Sequence, residues 1–203
     1  MSGLGTVARR LGALGLVLLT AVPAAAAPAT AAATAAADVP PDRQVLILAR
    51  ALAYDDNLKT RAGTELLIAV LWRPGQPASE GCGTALTAAF KALGSVKVQG
   101  LPLKSVSIGW TGEPPLSAAI AAQGIDALYV CGGLEGELPT ITTLSRRVQV
   151  VTLASQENQV GRGLSLGVFA VEGRPTIVVN IGASRREGAA FGSDLLRLAK
   201  VIK

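Results

Sequence analysis

The stretch Glu65-Leu-Leu-Ile-Ala-Val-Leu-Trp72 decides the fold class of this 203-residue chain. It is apolar without interruption from Leu66 onward, and the turn residues Arg73-Pro74-Gly75 close it. A continuous apolar run of this kind is typical of a strand that is buried on both faces of a parallel sheet. The stretch therefore predicts a central strand with helices packed above and below it.

Strand and helix patterns alternate along the chain around this central strand. Three later segments have the length and composition of strands, namely 103–110, 126–130 and 148–153. Apolar residues at helical spacing and capping residues predict helices at 42–53, 84–93, 116–123, 138–144 and, from a capping Ser155, 155–161. Such alternation predicts a mostly parallel sheet with helices on both faces.

The last part of the chain changes character. Two strand patterns, 164–171 and 176–181, flank Glu172-Gly173-Arg174-Pro175, and a short connection with Gly and Pro predicts a hairpin. After a short helix at 183–187, Ser193 is predicted to cap a final amphipathic helix that extends to Ile202. The predicted fold class is therefore α/β. It is a three-layer α/β/α sandwich with a mostly parallel sheet and a C-terminal antiparallel hairpin at its edge.

The beginning of the chain is predicted to lie outside this domain. Residues 1–27 have the pattern of a cleaved secretory signal peptide: a basic pair, a short apolar run and an alanine-rich cleavage region. The apolar run, Leu11 to Val22, is shorter than the ~20 residues of a membrane-spanning helix, although an uncleaved anchor stays an alternative. Residues 28–41 are an Ala/Thr/Pro-rich linker, so one domain is predicted at 42–203.

Composition excludes several classes of enzyme and partner. The chain has no histidine and two cysteines, which rules out Ser-His-Asp triads, Cys-His dyads, histidine-based zinc sites and four-thiolate clusters. Carboxylate, lysine and phosphoryl-transfer chemistry remain open, but we expect a protein that is not an enzyme and uses no metal or cofactor. Without Arg9 and Arg10 of the leader, 17 basic residues stand against 14 acidic ones, a net charge of +3. This small, scattered excess does not predict nucleic-acid binding.

The two cysteines are predicted to lie close together. Cys82 follows the loop after the central strand, and Cys131 comes directly after the strand at 126–130. In doubly wound sheets these two strands are commonly neighbours, which places both cysteines at the carboxyl edge of the sheet. Because export leads to an oxidising compartment, we predict a Cys82–Cys131 disulfide. Two buried thiols are the alternative.

The carboxyl edge of the sheet is also where ligands bind in open α/β folds. The loops at this edge therefore form a candidate crevice for a small molecule or a partner. Alternatively, their residues only form turns, pack or face solvent, because they include no convergent set of ionisable groups. The candidate residues are Arg73, Trp110, Thr111, Gly132, Gly133, Ser155 and Gln156.

The C-terminal third carries a recognisable pattern. Its first part is Gly163-Leu-Ser-Leu-Gly-Val-Phe-Ala-Val-Glu-Gly-Arg-Pro-Thr-Ile-Val-Val-Asn180. Ile181-Gly-Ala-Ser-Arg-Arg-Glu-Gly188 and Phe191-Gly-Ser-Asp-Leu-Leu-Arg-Leu-Ala199 follow. A strand that ends in Asn, a small-residue helix with Arg and a leucine-rich helix resemble the closing part of the YfiR family. The matching residues, expected to be structural, are Asn180, Arg185 and Ser193, with Leu195 and Leu196.

The resemblance covers about 43–203 and implies a periplasmic regulator that is not an enzyme. Members of the family bind the periplasmic sensor part of an inner-membrane diguanylate cyclase, and thereby act in cyclic-di-GMP signalling. They form dimers, carry disulfides and respond to redox or envelope stress. This chain departs from the family at Tyr54-Asp55, where Trp-Pro is frequent, so its partner surface is expected to differ.

Two functions remain in contention. In the first, the exported chain binds the periplasmic part of a membrane-bound signalling protein, a diguanylate cyclase or a sensor kinase, and modulates its activity. In this interpretation the chain can form a homodimer, and it associates with the membrane only through its partner. In the second, the chain is a periplasmic small-molecule-binding module that uses the crevice at the carboxyl ends of the strands.

Overall fold

The computed structural model describes residues 39–202. The predicted signal peptide and most of the predicted linker, through residue 38, lie outside the described residues. Pro41, assigned to the linker from sequence, is the first residue of a helix, with Pro40 in the capping position. Proline suits the first turn of a helix because the N–H groups there have no intrahelical acceptor.

Helices and strands alternate as the sequence predicts. The helices are α1 (Pro41–Leu52), α2 (Leu58–Ala62), α3 (Pro77–Ala92), α4 (Glu113–Gln123), α5 (Leu138–Val148), α6 (Glu157–Gly161), α7 (Ile181–Arg186) and α8 (Ser193–Leu198). The strands are β1 (Leu66–Trp72), β2 (Lys97–Val98), β3 (Leu101–Gly109), β4 (Ala127–Val130), β5 (Val151–Ala154), β6 (Leu166–Val171), β7 (Arg174–Asn180) and β8 (Lys200–Ile202). A short 3₁₀ turn, Glu135–Glu137, precedes α5.

The strands form one sheet in the order β2-β3-β1-β4-β5-β6-β7-β8. Strands β3, β1, β4, β5 and β6 are parallel neighbours, whereas β6 and β7 form an antiparallel hairpin. The chain passes from β1 to β3 on one side and then crosses to β4 on the other. The sheet therefore has its topological switch point between β1 and β4, and the predicted α/β class with a closing hairpin is confirmed.

The central strand is buried on both faces, as its apolar run predicts. Leu66, Ile68 and Val70 pack into one core, together with α1, α3 and α8. The alternate side chains of β1 pack into a second core, formed with α4, α5 and α6 on the opposite face. These two cores separate the three layers of the sandwich.

Three local predictions in the C-terminal half of the domain need correction. The final helix ends at Leu198, and Lys200–Ile202 instead forms β8, which pairs with β7 and covers the outer side of the hairpin. Ser193 is the first helical residue and makes no cap, since Gly192 holds the capping position. The cap of α6 is Gln156, not Ser155: its N–H and that of Ser155 both donate to Gln159 Oε1, at 3.2 and 3.0 Å.

Asn180, the polar residue that ends β7, holds the hairpin to its surroundings. Its Oδ1 accepts a hydrogen bond from the N–H of Ala183 at 2.8 Å and caps α7. Its Nδ2 donates to the carbonyl of Val160 at 3.0 Å, and the residue is 8% exposed. One side chain therefore satisfies backbone groups of two separate elements.

Replacing Asn180 with alanine is expected to lower the free energy of unfolding by about 2 kcal/mol, because a helix cap is lost and a buried carbonyl is left unpaired. Asn180→Ser is the matched variant, since serine is a favourable N-cap whose hydroxyl can still accept from Ala183, whereas it lacks the amide donor for Val160. It should lose less than Asn180→Ala. Urea unfolding monitored by circular dichroism measures both, and equal losses in the two variants would contradict the capping role.

Candidate functional site

An open cleft lies at the carboxyl ends of β4 and β5, next to the switch point of the sheet. Its volume is about 660 Å³, within the range of small-molecule sites. The first turns of α1 and α3 form one side, and β6 with the loop before α6 forms the other. The cleft is lined by Val39, Pro41, Gln44, Gln76, Ala78, Ser79, Cys82, Leu86, Tyr129, Gly132, Gly133, Ser155, Gln156, Glu157, Val168 and Phe169.

Buried polar side chains from distant parts of the chain form the floor of the cleft. The hydroxyl of Tyr129 donates to Gln44 Oε1 at 3.1 Å, and Gln44 Nε2 donates to the carbonyl of Val168 at 3.0 Å. Burial raises the pKa of Tyr129 well above its ordinary value, so the phenol stays neutral and remains a donor. Phe90 packs edge-on against the tyrosine ring, with the ring centroids 6.2 Å apart. The floor is thus held by hydrogen bonds and ring packing, and it carries no charge.

A disulfide joins α3, on one side of the cleft, to the end of β4, which supplies the floor residue Tyr129. The structure contains the predicted Cys82–Cys131 bond, with the two Cα atoms 6.0 Å apart. Cys82 lies inside α3, because this helix starts at Pro77 and not at Thr84 as the sequence suggests. A Cβ at the neighbouring Gly83 would come within 2.6 Å of Trp72 Cδ1. Glycine at that position therefore allows α3 to approach β1 closely enough for the cysteines to meet.

The structure brings four of the seven predicted crevice residues to the cleft: Gly132, Gly133, Ser155 and Gln156. The side chain of Arg73 instead binds the carbonyl of Gly133 and pairs with Glu137, Nη2 to Oε1, at 2.8 Å. Trp110 packs against the core on the opposite face of the sheet, and Thr111 is exposed. Neither of these two residues lines the cleft, because their loop follows β3, on the far side of β1.

Sequence reasoning missed the contributions of α1, α3 and β6. Gln44, Gln76, Ser79, Val168 and Phe169 reach the cleft from segments that are far apart in the chain. A sequence signal existed for Gln44, because this polar residue lies on the apolar face of α1 beside Val45 and is only 7% exposed. Buried glutamines need hydrogen-bond partners, although the sequence does not name them.

A second polar cluster lies away from the cleft, around the buried carboxylate of Glu187. This residue is fully buried and accepts hydrogen bonds from the N–H of Thr152 at 2.8 Å and from the hydroxyls of Thr152, Ser145 and Ser165. Burial raises the pKa of Glu187, although these hydrogen bonds oppose the shift. The cluster joins the end of α7 to α5, β5 and the start of β6.

A third cluster holds the N-terminal and C-terminal parts of the domain together. Asp55 is fully buried and accepts from Arg61 Nη2, from the N–H of Asn57 at 3.1 Å and from the N–H of Ala190 at 2.8 Å. The neighbouring Tyr54 is 40% exposed. Both carboxylate clusters are therefore occupied by donors that belong to the fold itself.

Two further observations bear on the kind of site. Residues 39–202 contain no group of three acidic or sulfur side chains placed to hold a metal ion. No helix in the same range is long and apolar enough to span a membrane.

The sequence pattern of YfiR/HmsC-like proteins matches residues 79–200, more than half of the chain. The chain belongs to the YfiR/HmsC-like family. The match includes both cysteines and the C-terminal pattern. Of the residues expected to be structural in this family, Asn180 is buried, whereas Arg185 and Ser193 are exposed. Arg185 lines a small pocket of about 130 Å³ beside Phe191.

Tyr54-Asp55, where the sequence predicts a departure from the family, lies outside the matched residues and contacts the C-terminal part of the domain. The backbone of this segment pairs with the C-terminal family pattern, because the N–H of Gly192 donates to the carbonyl of Tyr54 at 3.0 Å. The segment after α1 and the C-terminal segment around Phe191 therefore lie side by side. This pairing leaves the tyrosine ring partly exposed to solvent.

Solved structures with a similar fold come from three bacteria. A conserved domain protein from Vibrio cholerae has a TM-score of 0.57 and 14% identity over 81% of this chain and 60% of its own. The ABC domain in complex with L-Trp from Streptococcus pneumonia has a TM-score of 0.54 and 15% identity, covering 80% and 60%. A ligand-free substrate binding protein with adhesive properties from Clostridium difficile has a TM-score of 0.51 and 18% identity, covering 73% and 58%.

The present chain thus spans about 60% of the length of these similar structures. At such low identity the likeness shows a shared fold. No protein of curated function matches the sequence.

Proposed function

We propose that the chain is an exported, non-enzymatic regulator that binds the periplasmic part of an inner-membrane signalling protein and modulates its output. The partner would be a diguanylate cyclase or a sensor kinase. The observation that carries this proposal is the family match over residues 79–200, because known members of the family act in this way.

The hydrogen bonding of the two buried carboxylates favours a regulator over an enzyme. Glu187 and Asp55, two fully buried carboxylates, are held by backbone and side-chain donors of neighbouring elements. Groups that are saturated by hydrogen bonds of the fold are poorly placed to exchange protons with a substrate. Their arrangement stabilises the domain and leaves its surface for recognition.

The fold is also suited to recognition. One of the similar structures is described as a substrate binding protein, and another contains bound L-Trp. Open α/β sheets of this kind present loops and helix ends at the carboxyl edge, where ligands and partners bind. The family match favours a protein partner, and the cleft leaves room for a small effector.

Capture of the partner from its own membrane tests the proposal. The tagged chain is expressed with its leader in the native bacterium, cross-linked in intact cells and purified from detergent extracts for mass spectrometry. We expect enrichment, over an untagged strain, of one inner-membrane protein that has a periplasmic segment and a cytoplasmic cyclase or kinase domain. Enrichment of a transporter permease instead would contradict the proposal and favour a solute-binding module.

A further inference from the structure

We propose that the cleft between α1, α3 and β6 binds an uncharged small molecule that carries an amide group next to an aliphatic or aromatic group. The inference does not depend on the membrane partner, since it concerns binding to the isolated chain. It rests on the charge, the hydrogen-bonding groups and the apolar surface of the cleft.

The charge of the lining argues against an ionic ligand. No lysine or arginine lines the cleft, and Glu157 is its one ionisable residue apart from the neutral Tyr129. The carboxylate of Glu157 already pairs with Lys200, Oε1 to Nζ, at 2.7 Å. An anion would lose hydration on entering and gain no countercharge in return, and a cation would have to compete with Lys200 for Glu157. The cleft therefore favours molecules without net or zwitterionic charge.

The hydrogen-bonding groups of the lining are mostly amides. Gln76 and Gln156 lie directly against the Gly132-Gly133 turn: a Cβ at Gly133 would come within 2.0 Å of Gln76 Oε1, and one at Gly132 within 2.8 Å of Gln156 Nε2. Gly133 also has a φ of +85°, which favours glycine. The two glycines thus let both amides pack against the turn that lines the cleft.

These amides have unused hydrogen-bonding capacity. Within residues 39–202, Nε2 of neither Gln76 nor Gln156 donates to another group, whereas Gln44 Nε2 uses one of its two hydrogens on Val168. A primary amide offers two donors and one acceptor oxygen. Another amide matches this set, because it presents an N–H and a C=O side by side. Gln44, Gln76 and Gln156, which all line the cleft, therefore offer groups that match an amide ligand.

The rest of the lining is apolar and would cover a non-polar group. Leu86 and Val168 are buried, and Phe169 is half-buried. Burial of apolar ligand surface against these side chains favours binding. A ligand with an amide and an aliphatic or aromatic group would use both kinds of surface.

The test compares three probes that share one side chain and differ in charge. N-acetyl-L-phenylalaninamide is neutral, N-acetyl-L-phenylalanine is an anion, and L-phenylalanine is a zwitterion. Each is titrated into the purified chain while ¹H–¹⁵N spectra are recorded. We expect saturable shifts at Gly132 and Gly133 with the neutral probe, and an affinity at least about tenfold lower for both charged probes.

Variants of the exposed glutamines locate the binding. Gln76→Ala and Gln156→Ala should each weaken binding of the neutral probe about threefold to tenfold, since each removes one hydrogen-bonding side chain. Gln123→Ala, at the exposed end of α4, is the matched control and should bind like the wild type. Unchanged melting temperatures show that the variants fold.

Several outcomes would overturn the inference. They are absence of saturable shifts with the neutral probe at millimolar concentration, equal binding of the charged probes, and full affinity in both glutamine variants. None of these results would affect the proposed docking to a membrane protein, which partner capture tests separately.

Discussion

Replacing Cys82 and Cys131 together with alanine is expected to lower the free energy of unfolding by about 4 kcal/mol. The bond closes a loop with a sequence separation of 49 residues, and closing a loop of that size removes about this much conformational freedom from the unfolded chain. The loop includes β3, α4 and β4. Its two ends belong to different layers of the sandwich, because Cys82 lies in α3 and Cys131 follows β4. Urea unfolding monitored by circular dichroism measures the loss.

Reduction of the wild-type disulfide is the control for this double variant. Cys131 is fully buried, so replacing it with alanine also leaves a small cavity. Reduction, in contrast, breaks the cross-link but keeps both sulfur atoms and adds one hydrogen to each. We expect the reduced wild type to fall within about 1 kcal/mol of the double variant. Equal unfolding midpoints for oxidised and reduced wild type would contradict a stabilising role.

Replacing Glu187 with alanine is expected to destabilise the domain by about 3–5 kcal/mol. The change leaves buried donors on Ser145, Thr152 and Ser165 without their acceptor, and each unpaired buried group costs about 1–3 kcal/mol. Glu187→Gln keeps the volume and one acceptor oxygen, so it should lose clearly less. Equilibrium urea unfolding at pH 7 distinguishes the two variants.

The stability of the wild type should also depend on pH through Glu187. Its pKa is raised by burial, so the folded state binds a proton at pH values where the unfolded state has released it. The contribution of this group to stability is therefore present below the ordinary glutamate pKa and is lost as the pH rises through the raised value. Glu187→Gln has no such group and should lack this component.

The geometry of the cluster explains how a protonated Glu187 is accommodated. Ser145 Oγ lies 2.8 Å from Glu187 Oε1 and 3.1 Å from the carbonyl of Thr142. The protonated acid can donate to this hydroxyl, which then donates to the carbonyl. The difference in stability between wild type and Glu187→Gln, measured from pH 4 to pH 8, isolates this group from other carboxylates.

An exposed glutamate serves as the reference for Glu187. Glu172→Gln, in the turn between β6 and β7, should stay within about 0.5 kcal/mol of wild type at every pH. Parallel pH profiles for wild type and Glu187→Gln would contradict the raised pKa. A loss in Glu187→Ala as small as that of Glu172→Gln would contradict the role of the cluster.

The sheet could be predicted from sequence where burial leaves a local pattern. The run from Leu66 to Trp72 is apolar at every position because both of its faces are covered, and this pattern is visible without the structure. Strand β8 was missed because Leu195, Leu198 and Ile202 continue a helical spacing. Lys200–Ile202 becomes a strand because it pairs with the outer edge of β7, which is a tertiary effect.

The cleft could be predicted only in part. The rule that parallel sheets bind ligands at their carboxyl edge identified Gly132, Gly133, Ser155 and Gln156. It could not supply Gln44, which is brought there by the packing of α1 against the sheet. Nor could sequence show that the Glu187 carboxylate meets donors from three distant segments, because such clusters depend on the complete fold.

The measurement that most directly tests the regulatory role is the activity of the captured membrane protein with and without this chain. The partner is reconstituted in liposomes, and synthesis of cyclic-di-GMP or autophosphorylation is followed as the purified chain is added on the periplasmic side. We predict that the rate changes several-fold and saturates at a fixed ratio of chain to partner. An active partner whose rate is unchanged by a large excess of the chain would contradict the proposed function.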